Sequence, residues 1–131
     1  ERPIQYQDNI ASTHEAGRFG ATEIGDEAQE VVLVVILDTK NKINAIHRVF
    51  TGSLNTSVAH PREIFRSALL NNGARILVYH NHPSGNTEPS EADLIFTKRM
   101  EEAGSILGID LLDHIIVSGK EWLSLREYGI L

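Results

Sequence analysis

The chain has 131 residues, of which 41% are hydrophobic and none is cysteine. That length suits one domain able to bury more than half of its unfolded surface, and the lack of thiols excludes disulfides, thiolate zinc sites, iron–sulfur clusters and cysteine nucleophiles. Twelve basic side chains against eighteen acidic ones give a formal charge of -6, the wrong balance for a domain that grips nucleic acid through a basic patch, and 6% aromatic residues offer no evident stacking platform for bases.

Residues 1–28 mix Gly, Thr, Glu and Asp with few apolar positions, so no helical or alternating pattern persists and the segment is assigned no structure. The chain opens on Glu1 rather than methionine, which points to a trimmed or processed chain. From Val31 the run VVLVVIL is continuous and rich in β-branched residues, as befits a strand buried on both faces. It is also the longest apolar run, far short of the roughly 20 residues that span a bilayer, and no basic-then-apolar signal segment opens the chain. The expectation is a soluble, cytoplasmic protein with no membrane partner.

Asp38 to Lys42 forms a polar turn, and a second strand over about Ile43 to Phe50 should pair back on the first. Pro61 stands at a helix start, where its missing N–H is harmless; Ile64, Phe65, Ala68 and Leu69 follow at helical spacing, and Gly73 supplies the stop. Arg75 to His80 reads as a short buried strand that must end before Pro83. After a loop over residues 83–89, Ser90 opens the longest helix, with Ala92, Ile95, Phe96, Met100, Ala103 and Leu107 as its apolar stripe and Gly108 as its end. Ile109 to Val117 and Glu121 to Leu125 are the last strands, and Trp122 is expected in the core. The alternation predicts a single α/β (α+β) domain over residues 29–131, a mixed central β-sheet flanked by helices.

The chemistry is concentrated between His80 and Asp93. Strand side chains alternate, so His80 and His82 at the end of an extended segment point to one side. A seven-residue loop stiffened by Pro83 and Pro89 returns the chain to a helix start, and Asp93 projects from its first turn. Two imidazoles and a carboxylate suit one zinc ion whose fourth position is left to water, although iron or manganese would accept the same ligand types. Each half has a plainer reading. His-x-His occurs as a surface pair, and Ser90-x-x-Asp93 is a good capping box in its own right. A structural role does not explain why both histidines precede a Pro-Ser-Gly loop at the end of a buried strand.

His-x-His, seven residues, then Ser-x-x-Asp resembles the JAMM (MPN+) metalloprotease motif, and the fuller HNHPSG…PSEAD resembles the bacterial RadC family. Thr51-Gly52-Ser53-Leu54, His60-Pro61-Arg62-Glu63-Ile64 and Asp113-His114-Ile115-Ile116-Val117 also resemble RadC segments, so the likeness runs from about Glu30 to the end. The resemblance implies a JAMM/MPN-like fold of cytidine-deaminase-like architecture, with His80, His82 and Asp93 holding zinc and Ser90 helping to stabilise the tetrahedral intermediate. It implies Glu30, at the head of the VVLVVIL strand, as the general base. Glu23 and Glu27 lie close by, and Glu63 sits at a helix start where the dipole alone favours a carboxylate.

The function implied is zinc-dependent hydrolysis of a peptide or isopeptide bond in a peptide or protein substrate. A reading from another class is a RadC-like module associated with DNA repair or recombination that binds or regulates without turnover, any DNA contact coming from sequence outside this acidic segment. A zinc nucleobase deaminase would need cysteines, and a serine hydrolase would need a Gly-x-Ser-x-Gly elbow, which is absent. Asp113-His114 fits a satisfied structural pair better than a carboxylate supporting a metal-bound histidine. His14, His47 and His60 lack ligand spacing.

Overall fold

In a computed structural model of the chain, residues 9–51 and 61–131 are described, residues 49–51 by their backbone alone. Gly52-Ser53-Leu54, His60 and residues 1–8 lie outside the described residues.

A run of aliphatic residues with no polar face can sit only where a sheet is covered on both sides, and every residue of β1 (Val31–Leu37) is buried. β1 pairs antiparallel with β2 (Ile43–Thr51) across the Asp38 turn, and antiparallel with β3 (Arg75–Asn81). In the turn Asp38 Oδ1 accepts the N–H groups of Lys40 and Lys42, and Asn41 takes a φ of 63°. β3 runs parallel to β4 (Asp110–Ser118), which returns antiparallel to β5 (Glu121–Ser124). The sheet order β2-β1-β3-β4-β5 is the expected mixed sheet. Parallel strands need a crossover, and the long helix α3 (Glu91–Leu107) supplies it between β3 and β4.

Side-chain alternation divides the core into two layers. Val32, Val34, Ile36, Ile76 and Val78 pack with Ile64 and Phe65 of α2 (Pro61–Leu70) and Phe96 and Met100 of α3. Leu33, Val35, Leu77 and Tyr79 pack on the other side with Ala16 and Ile24 of α1 (Thr13–Ile24). Among the described residues, no helix is long and apolar enough to cross a membrane.

The segment assigned no structure thus contains a helix. The buried positions of α1 are Ala16, Gly17, Gly20 and Ile24, a helical spacing written in small residues that carries little hydrophobic signal. Ser12 caps it, its hydroxyl accepting the Glu15 N–H at 3.1 Å. The glycines let α1 lie against aromatic rings. A Cβ on Gly17 would meet the Trp122 ring at 2.2 Å, and one on Gly20 would meet the Tyr79 ring at 2.2 Å. Tyr79 cannot swing aside freely, because its hydroxyl donates to the Ala16 carbonyl at 2.8 Å. Gly20→Ala is therefore expected to destabilise the protein, overpacking of about 1–3 kcal/mol outweighing a helix-propensity gain of about 1 kcal/mol. A urea unfolding midpoint at or above that of the wild type would contradict this packing.

Several apolar positions are exposed where the spacing placed them in the core: Leu69 at 58%, Ile95 at 57% and Leu107 at 47%. The buried face of α3 instead runs through Asp93, Phe96, Thr97, Met100 and Gly104. Gly104 belongs there because a Cβ would lie 2.3 Å from the Ile109 carbonyl oxygen. Close approach and the polar site set the rotation of α3, and the apolar stripe follows only in part. Trp122 is half-buried, covering Gly17 rather than lying in the deep core.

Candidate metal centre

His80 pairs with Val32 in the β1–β3 ladder and so shares the face covered by α3. It is 2% exposed. His82 lies just beyond the strand; its N–H donates to the Val117 carbonyl at 2.8 Å, and Ser118 Oγ donates to its carbonyl at 2.7 Å. The extended line of β3 thus carries one step past its end, and the two rings stand 5.1 Å apart between centroids.

The loop that follows is shaped to return. Gly85 N donates to the His82 carbonyl with Gly85 at a φ of 97°, a conformation glycine adopts without strain. The Asn86 carbonyl comes back to the His82 ring, 2.7 Å from Nδ1. A carbonyl oxygen only accepts, so Nδ1 carries the hydrogen and Nε2 is the atom available to the site.

Ser90 caps α3. Its hydroxyl accepts the Asp93 N–H at 3.0 Å, while Asp93 Oδ2 accepts the Ser90 N–H at 2.8 Å, a complete capping box. The same carboxylate reaches both histidines: Oδ2 lies 3.0 Å from His82 Nε2, and Oδ1 lies 3.2 Å from His80 Nδ1. The cap and ligand readings of Asp93 are therefore compatible, and the capping bond holds the carboxylate in place. Thr97 Oγ1, one turn on, donates to the Asp93 carbonyl at 2.7 Å.

Glu30 enters from the end of β1, with Oε1 3.0 Å from His80 Nε2 and its side chain 36% exposed. Glu27 turns instead toward Arg48, 3.7 Å away, and Glu63 is exposed in the first turn of α2. The structure thus brings His80, His82, Asp93 and Glu30 together, with Ser90 at the rim through its bond to Asp93.

The electrostatics favour a cation. Burial raises the Asp93 pKa, but His80, His82 and the Ser90 N–H outweigh it and hold the carboxyl well below the usual carboxylate range. The Asp93 carboxylate in turn raises the His82 pKa, against the opposing effect of burial. His82 Nε2 and Asp93 Oδ2 are both acceptors when the ring is neutral, so at 3.0 Å they require a proton or a metal ion between them. Among the described residues, His80 Nδ1, Asp93 Oδ1 and His114 Nε2 are buried with no hydrogen-bond partner, and the first two face each other at 3.2 Å. Buried polar atoms without partners are rare and costly, and one ligand atom from each of His80, His82 and Asp93 lies within 4.8 Å of the others. The donor set fits a metal ion.

Asp113 and His114 point to opposite faces of β4. Asp113 accepts from the His114 and Arg126 N–H groups at 2.8 and 3.0 Å and from the Ser124 hydroxyl, an arrangement within the β4–β5 corner. His114 donates through Nδ1 to Thr97 Oγ1 at 2.6 Å, and complete burial pushes its pKa down to about 3, so it is neutral. The partners of Asp113 are thus His114, Ser124 and Arg126 rather than the His80 or His82 ring, which makes it a structural carboxylate. His14 lies edge-on to Trp122 and His47 is exposed on β2.

One residue passed over in the sequence is Asn81, the middle of His-Asn-His. It is fully buried and binds backbone on both sides of Glu30. The signal for it was a polar residue at the end of an otherwise apolar strand, facing away from the two histidines.

The model of the RadC-like JAB domain family matches residues 10–130 and so takes in α1 as well as the sheet. The chain is 50% identical over 109 residues to a UPF0758 protein of Clostridium beijerinckii, covering 83% of this chain and 48% of that protein. It is 49% identical over 118 residues to a UPF0758 protein of Enterococcus faecalis, covering 90% and 51%. A UPF0758 protein of Latilactobacillus sakei matches at 44% over 122 residues, 93% and 54%. The chain thus spans about half the length of the curated relatives it matches.

Proposed function

The chain belongs to the RadC-like JAB domain family, and from that premise we propose that it is a zinc-dependent hydrolase that cleaves an amide bond in a peptide or protein substrate. The observation that carries the reading is the convergence of His80, His82 and Asp93, with His80 Nδ1 and Asp93 Oδ1 buried face to face without a hydrogen bond, beside the carboxylate of Glu30.

His80, His82 and Asp93 would hold the ion. When bound, zinc supplies a Lewis acid that lowers the pKa of water toward about 7 and polarises a carbonyl. Glu30 stands within hydrogen-bond reach of His80 at the edge of the ligand set and is open to solvent. It can therefore accept a proton from the attacking water and return it to the leaving amine. Ser90 Oγ uses an acceptor position for the Asp93 N–H, which leaves its hydrogen free to be donated to the oxygen of the scissile carbonyl as negative charge develops there. The exposed rim formed by Ser90 and residues 83–86 leaves room for an extended substrate to approach.

The test is metal analysis followed by digestion of a mixed peptide and isopeptide library with the zinc-loaded chain. One zinc per chain, cleavage abolished by a chelator and cleavage restored by zinc are expected. A protein that binds stoichiometric zinc and cuts nothing in the library would be a metal-binding module, and the hydrolase reading would fall.

A further inference from the structure

Strand alternation carries Glu30 to the face that holds His80 only if the chain before Val31 keeps the line of β1. Neither ladder reaches Glu30: β1–β2 pairing ends at Val31 with Thr51. On the β3 side the last partners are Val32 and His80, and the next backbone donor, Val31 N–H, is taken by a side chain, donating to Asn81 Oδ1 at 2.6 Å. Asn81 Nδ2 donates to the Gln29 carbonyl at 3.0 Å and to the Glu27 carbonyl at 3.3 Å. The Gln29 carbonyl and the Val31 N–H belong to the two peptide groups that flank Glu30. One planar amide therefore grips both, fixing the backbone torsions on either side of Glu30 from the opposite face of the sheet.

We infer that Asn81 is the positioning residue for Glu30, holding its carboxylate against His80. The inference rests on the hydrolase reading for its catalytic meaning. Asn81 sits between two ligands in sequence, so one short strand end, His80-Asn81-His82, sets metal ligands on one face and the clamp for the base on the other. The amide suits the task because it offers an acceptor and two donors in one plane. A carboxylate lacks the donors, and an aliphatic side chain would leave the Val31 N–H and two carbonyls without a partner.

The test compares Asn81→Ala with the wild type in three ways. Zinc affinity, measured by competition with a chromophoric chelator, should stay within about threefold, since the ligands are held by β3 and by the α3 cap. In crystals of the variant, Glu30 should leave hydrogen-bond contact with His80. On library peptides kcat should fall by about tenfold to a hundredfold with KM little changed, the scale expected of a displaced catalytic group. Adding Asn81→Ala to Glu30→Gln should cost nothing more, because the residue acts through Glu30. Should the alanine variant not fold, Asn81→Asp keeps an acceptor for Val31 while losing the donors to Gln29 and Glu27, and it should displace Glu30 in the same way. A Glu30 still in contact with His80, or a further loss on the Glu30→Gln background, overturns the inference. If the wild type cuts no peptide, the hydrolase reading falls on its own, and the Glu30 position still decides whether Asn81 is its clamp.

Discussion

Asp93→Asn is expected to lower zinc affinity by more than about a hundredfold while leaving α3 folded. Loss of a group that merely supports a ligand costs up to about a hundredfold, so removal of a ligand charge should exceed it. The amide oxygen introduced by Asp93→Asn could still accept the Ser90 N–H, which separates the ligand role of this position from its capping role. Asp93→Ala removes both, and should add a helix-cap loss of about 1 kcal/mol. Proton linkage sharpens the comparison in metal-free protein. The folded pKa of Asp93 is depressed, so its stabilisation is present above its unfolded value of 3.8 and is lost as pH falls below it. The folded pKa of His82 is raised, so its share is present below 6.5 and is lost as pH rises through the folded value. The stability advantage of wild type over Asp93→Asn should therefore peak in mildly acidic solution and shrink on both sides. Zinc competes with the proton on His82, so stabilisation by added zinc should grow with pH instead. Thermal melts across pH, with and without zinc, read both trends; a metal-independent difference that kept growing to alkaline pH would contradict the His82–Asp93 pairing.

Most of the sheet was legible because its residues have few alternatives. VVLVVIL, short and rich in β-branched residues, suits a strand covered on both faces, and Ser90, Asp93 and Gly108 mark the ends of α3 chemically, through a capping box and a left-handed terminus at a φ of 73°. The convergence of His80, His82 and Asp93 was legible for the same reason, since period-two alternation and a helix start leave the three side chains little choice of direction. α1 was not legible. Its buried face is built from Ala16, Gly17 and Gly20, chosen for close approach to Trp122 and Tyr79, and a scan for hydrophobic periodicity does not register contacts made by the absence of a side chain. The exposed Ile95 and Leu107 show the converse. The rotation of α3 is fixed by Asp93 reaching the histidines and by Gly104 lying against the Ile109 carbonyl. Asn81 escaped notice because its hydrogen bonds go to backbone some fifty residues away in the chain, where residue identity carries no trace of the pairing.

Glu30→Gln is the substitution expected to cost most in turnover while costing the structure least. General acid–base catalysis by a positioned side chain contributes about 10²–10⁴-fold, so kcat on a cleavable library peptide should fall by that order with KM nearly unchanged. Glutamine keeps the size of the side chain and an oxygen within reach of His80, so zinc content and unfolding midpoint should match the wild type. What it cannot do is accept the proton of the attacking water and hold it for the leaving amine. Ser90→Ala provides the contrast. It removes a cap worth about 0.5–2 kcal/mol together with the proposed donor to the carbonyl oxygen, so it should lower stability and turnover together. A Glu30→Gln protein that retained full zinc and full activity would remove the carboxylate from the reaction. Proton transfer would then have to be reassigned to Glu23, near the end of α1, or to Glu27 in the turn before β1, which would have to leave Arg48 to reach the histidines.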